Sequence, residues 1–306
     1  MASRSCLYAY FMLLLVVFQS TRPIKGNIFA LPPPQCRRVL ATSSDVLQFT
    51  LNLLYLEATL YLYGSTGRGI DAVAPGLVQG PAPVGAMMAN VDRTSRQLME
   101  EIGLENVGII RAILDTKLVE PIQMPLVNLS LEALNDFVEQ AFNDDFIPPF
   151  NTYASAVNFL PVSAVLVTSL IRQYYVGILP HLLNHDLQVV KFGAVRQQLY
   201  MFANAIIPPY QLNVTTLVDR LGQLGNRLGM CGDKDEGLIV ALQLGAENRT
   251  TTNVVPADVN SLAFSRTERE ILRICYGTGN ATIPGGLFPR GVNGKIGDLI
   301  RNLRLS

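Results

Sequence analysis

The chain has 306 residues, with 24 lysines and arginines balanced by 24 acidic residues and only two histidines, so its formal net charge is zero. Without a basic excess it cannot exploit counterion release on a nucleic-acid backbone, and nucleic acid is not an expected partner. Charged residues make up 16% and hydrophobic residues 49%, which excludes a disordered chain and supplies the apolar surface for a large core.

Residues 1–26 place Arg4 ahead of an apolar stretch from about Leu7 to Phe18, followed by a polar, proline-containing segment. This is the pattern of a secretory signal peptide, and the apolar run is shorter than the ~20 residues a spanning helix needs. Secretion is therefore expected, with no membrane anchor after cleavage. Four N-x-S/T sequons, at Asn128, Asn213, Asn248 and Asn280, agree with an extracellular glycoprotein. In that oxidising compartment the remaining cysteines are Cys36, Cys231 and Cys275. An odd number implies one disulfide between two of them and one thiol left over, and spacing does not select the pair.

A proline-rich lead occupies 27–44, and Ser43, Ser44 and Asp45 are candidate helix caps. Val46, Phe49, Leu53, Leu56, Leu60 and Tyr63 then recur at steps of three and four, which predicts a bundle helix ending at Gly64. A long Gly- and Pro-rich connection leads to Asp92, the cap of a second helix through about Thr116 with Leu98, Ile102, Asn106, Ile109 and Ile113 facing inward. A shorter amphipathic helix starts at Ser130. The next, about Ala154 to Tyr175, lies mostly in a charge-free run, but Asn158, Pro161, Ser163, Thr168 and Ser169 favour a buried bundle helix over a membrane span. A fourth long helix, roughly 187–206, places Phe192, Val195, Leu199, Phe202 and Ile206 on one face. Together these predict a mainly α four-helix bundle at 45–207. The extension at 208–306 reads as irregular and partly helical. It holds a helix at about Thr216–Leu228, a capping box at Thr267 and Glu270, and a glycine-rich tail packed on the bundle.

The segments Leu51–Gly64, Asp235–Leu238, Leu244–Glu247 and above all Tyr276–Gly291 (YGTGNATIPGGLFPRG) resemble the plant desiccation-related proteins that carry a ferritin-like domain. The resemblance runs from about residue 44 to 298. It implies a stress- or desiccation-associated protein and a ferritin-like four-helix bundle in which carboxylates and Glu-x-x-His pairs hold two metals. Residues three apart on a helix share a face, so such a pair reaches one metal. Carried over position by position, only Glu57, in the first helix, keeps its carboxylate. Asn106 stands where the second-helix glutamate would be, Ile109 where the histidine would be, and Val195 where the fourth-helix glutamate would be. Ile and Val offer no lone pair and a neutral amide is a poor replacement for a carboxylate on a transition metal, so no cofactor is expected. Glu105 lies about 100° around the helix from Asn106.

A buried carboxylate is costly unless paired, so Glu57 is expected either to pair with Arg196 or Arg111 or to be hydrated near a bundle end. Elsewhere, His181-x-x-x-His185 lacks the companion glutamate of a zinc helix and reads as surface histidines. Asp233-x-Asp235 lacks the sixth-position glycine of a calcium loop, and the glycines from Gly277 to Gly286 follow a helix rather than a strand and read as turns. The expectation is a non-catalytic secreted protein of the apoplast or cell wall with a degenerate metal site, of unknown partner, with cell-wall or self-association open. The alternative is an iron- or manganese-binding protein or oxidase using a rearranged carboxylate set of Glu57, Glu100, Glu101 and Glu105.

Overall fold

Helix α1 (Ser43–Thr66) is capped by Thr42, one residue ahead of the expected caps. Thr42 accepts the Asp45 amide and Asp45 accepts the Thr42 amide in return, so two otherwise orphaned donors are satisfied together. The computed structural model describes residues 36–178, 185–234, 237–239, 245–249 and 253–302, and the described residues pack as one compact unit. The predicted signal peptide, the lead before Cys36, His181 and Asp235 lie outside the described residues.

The periodic stripe read in α1 understates its burial, because every residue from Phe49 to Leu62 is buried. Its outer face is covered by later chain. Asn52 exchanges hydrogen bonds with the Asn293 backbone at 2.9 Å each, and the Tyr55 hydroxyl donates to the Ile122 carbonyl. After a connection that includes the short α2 (Ile70–Val73), α3 (Arg93–Asp115) begins at the predicted cap Asp92 and packs along α1. A Cβ on Gly103 would stand 2.7 Å from the Leu62 side chain, so the bare glycine permits that close approach. Helix α4 (Leu131–Phe142) is capped by Ser130 and buries Leu134, Phe137 and Val138.

The third bundle element is continuous from α5 (Ala156–Ser163) through a π-helical turn (Ala164–Thr168) into α6 (Ser169–Ile178). Residues Ala156–Val176 are long and apolar enough to cross a membrane, but almost all of that span is buried inside the protein. Its polar residues are met internally: the Tyr61 hydroxyl lies 2.8 Å from Thr168 Oγ1 and donates to Ser163 Oγ.

Helix α7 (His185–Met201) ends five residues before the predicted stop. The chain reverses there: the Ala203 carbonyl accepts from Thr215, Ile207 donates to the Leu212 carbonyl, and Asn213 caps α8 (Val214–Gly229). Ile206, predicted on the inner face, is 56% exposed in consequence. Helix α8 packs on α4 and α5, and α9 (Glu268–Cys275) opens with the expected capping box and packs on α8. The glycine-rich tail folds back on α9 and ends in α10 (Lys295–Asn302), a helix the sequence reading did not anticipate, whose Ile296 and Ile300 are buried and which packs on α1. At Gly286, with φ +47°, a Cβ would stand 2.7 Å from the Cys275 carbonyl oxygen. The helices α1, α3, α5–α6 and α7 form the ferritin-like bundle, and among the described residues β-structure is limited to isolated bridges.

The structure selects Cys36–Cys231 as the disulfide and leaves Cys275 reduced and buried, its thiol pushed up to about 12 by desolvation. The bridge ties the lead to the segment after α8.

Candidate metal centre

Glu57 is fully buried and faces the bundle interior, not a hydrated end. Its partner is neither of the expected arginines. Lys191, on α7 and 2% exposed, donates from Nζ to Glu57 Oε2 at 3.3 Å and to Asn106 Oδ1 at 2.6 Å. Gln188, one turn earlier, reaches Asn106 Oδ1 at 3.5 Å. Arg196 follows Val195 by one residue and so points about 100° away around the helix, where its guanidinium donates to the carbonyls of Gly237, Asn253 and Val254. Arg111 lies on the exposed face of α3. The helical geometry that puts Val195 in the core therefore removes Arg196 from Glu57.

Of the positions singled out from the resemblance, Glu57 and Asn106 meet on the Lys191 ammonium, and Ile109 and Val195 are buried, at 3% and 0% exposed. They bring one carboxylate, one amide and two hydrocarbon side chains. Of the rearranged carboxylate set, Glu100 and Glu101 lie on the surface of α3. Glu105 is half-buried, and burial first, then Glu101 and Glu57, raises its carboxyl against the opposing pull of Lys191. Burial, and secondarily the Glu57 carboxylate, also pushes the Tyr61 and Tyr175 hydroxyls far above their ordinary range, so both stay neutral. Among the described residues no three His, Cys, Asp or Glu side chains are grouped as metal ligands. A di-metal centre does not fit this donor set, because an ammonium sits against its single fully buried carboxylate and two of the positions that the resemblance assigns to ligands have no lone pair.

Lys191 is the residue that sequence reading missed. The signal was present: it lies four residues before Val195 and so shares a helix face with it, where a lysine is out of place without a buried anion.

His185 is the first residue of α7 and Asp233 is exposed in the segment after Cys231. Gly277, Gly279 and Gly286 adopt positive φ in turns of the tail. Of the sequons, Asn248 and Asn280 are exposed. Asn128 and Asn213 are half-buried, with Asn128 Oδ1 accepting the Ser130 amide and Asn213 Oδ1 capping α8.

Comparison with known proteins agrees with this architecture. Residues 42–193 match the ferritin-like domain family. The chain is 40% identical over 264 residues to the ferritin-like catalase Nec2 of Nesocodon mauritianus, spanning 82% of this chain and 84% of that protein. It is 34% identical over 274 residues to the desiccation-related protein PCC13-62 of Craterostigma plantagineum, spanning 85% and 87% of the two chains. No solved structure matches it significantly. From the bundle, the tail motif and these relatives, the chain belongs to the plant desiccation-related family of ferritin-like proteins.

Proposed function

We propose that this protein is a secreted, stress-associated ferritin-like protein that carries no metal and catalyses no reaction. The observation that carries the reading is the pair of apolar side chains, Ile109 and Val195, buried at two positions where the resemblance calls for metal ligands. Hydrocarbon cannot coordinate a cation, and the carboxylate that remains is already bonded to an ammonium. The extracellular setting is supported by the leader pattern and by exposed sequons at Asn248 and Asn280.

The relative named a ferritin-like catalase supports a second reading, in which this chain also acts on hydrogen peroxide with a metal held around Glu57 and Glu105. One preparation separates the two. Protein purified from a secretory plant host is analysed for iron and manganese and assayed for hydrogen peroxide consumption. The proposal expects substoichiometric metal and no peroxide consumption above the buffer rate. Stoichiometric metal that is lost on Glu57→Ala, together with turnover, would establish the second reading instead. Recovery from the culture medium with a mass that falls on glycosidase treatment tests secretion and glycosylation.

A further inference from the structure

Lys191 Nζ touches the two polar residues, Glu57 and Asn106, that stand at metal-ligand positions of the resemblance. Beside it the second oxygen of Glu57, Oε1, is buried and accepts no hydrogen bond from any described residue, and Glu105, whose buried Oε2 likewise accepts none, feels the pull of the same ammonium. Carboxylate and amide oxygens converging on one point are the surroundings that hard cations take. An ammonium meets the same electrostatic demand with three N–H donors, a single charge and no redox chemistry.

We propose that the centre of this bundle is a cation site whose resident occupant is the protein's own Lys191 ammonium. The site then accepts a free cation only when that side chain is removed. This rests on the metal-free reading, because Lys191 and a metal cannot both occupy the oxygens of Glu57 and Asn106. In such a site the lysine contributes charge at a point, not merely hydrocarbon packing.

The test is chemical rescue. Lys191→Ala removes the ammonium with the methylenes beyond Cβ, and n-propylammonium carries the same atoms as a free molecule. Removing one partner of a buried pair is expected to lower the melting temperature by roughly 10 °C. That loss should be recovered by n-propylammonium chloride, and not by sodium chloride at equal ionic strength or by 1-propanol, which has the same chain without the charge. No recovery with the amine, or equal recovery with the alcohol, overturns the proposal. If Lys191→Ala does not fold, two further variants decide. Glu57→Gln/Lys191→Met removes both charges and should be more stable than Lys191→Met alone, whereas a double variant no more stable than that single variant overturns the proposal. All melting curves are run on chelator-treated protein. The metal content of the untreated wild type is a separate readout, so failure of the metal-free reading is distinguishable from failure of the rescue.

Discussion

Glu57 in the bundle centre and Glu270 at the start of α9 are both buried carboxylates, but they are satisfied to different degrees. Glu270 takes Lys234 and Arg266 on one oxygen and the Thr267 amide on the other. Its neighbour Glu268 likewise uses both oxygens, accepting from Arg38 at 3.0 Å and from the Val39 amide at 3.1 Å. Glu57 has Lys191 on one oxygen, while its second oxygen accepts from no described residue. The α9 carboxylates serve the architecture, tying the N-terminal lead and the segment after α8 to the start of a helix, where negative charge is also favoured by the helix dipole. The centre keeps polar groups whose hydrogen-bonding capacity the protein leaves partly unused, and buried polar groups of that kind call for an explanation beyond folding.

This contrast can be broken by mutation, beginning with the strongest expected effect. Glu270→Ala leaves Arg266 and Lys234 with one carboxylate fewer in a buried setting, and should cost about 3–5 kcal/mol, read from the denaturant midpoint at unchanged m. Glu57→Gln keeps an acceptor oxygen of the same shape for Lys191 while removing a charge that is only partly satisfied, so a smaller cost of about 1–3 kcal/mol is expected. Equal losses in the two variants would show that the centre is as fully satisfied as the α9 cluster and would remove the contrast.

The smallest effect belongs to a residue outside both clusters. Asp92 caps α3, and hydrogen bonds from the Ser95 hydroxyl and then the Ser95 amide hold its carboxyl below its ordinary 3.8. Asp92→Ala should cost about 1 kcal/mol at neutral pH. A lowered carboxyl pKa stabilises the fold above the unfolded value and stops doing so as pH falls through the folded one. The difference between wild type and Asp92→Ala should therefore close below about pH 4, as followed by thermal melts from pH 7 to pH 2.5. A gap that persists to the acid limit would assign the effect to side-chain packing instead of the cap.

Much of the bundle was legible because its signals are local. Asp92, Ser130 and the Thr267–Glu270 pair each cap the helix the sequence assigned to them, since a cap depends only on residues within a turn. The stop of α7 was not legible, because apolar spacing continues through Ile206 and the reversal depends on hydrogen bonds made with the start of α8. Burial of α1 on all sides was hidden for a similar reason: its outer face is covered by Asn293 and the loop at Ile122, far away in the chain.

The centre divides in the same way. That Asn106, Ile109 and Val195 carry no carboxylate or imidazole is a matter of residue type and was readable by position along the chain. The partner of Glu57 was not, since both arginines were plausible by charge and only helix rotation decided against them. Sequence alone thus determined the main bundle helices and their caps, because propensity and capping reside in single residues and their near neighbours. Tertiary structure alone decided that Cys36 meets Cys231 across 195 residues and that Lys191 meets Glu57 across 134. Those pairings depend on the angle at which each helix presents its side chains to the shared core, a property of the assembled bundle and of no segment by itself.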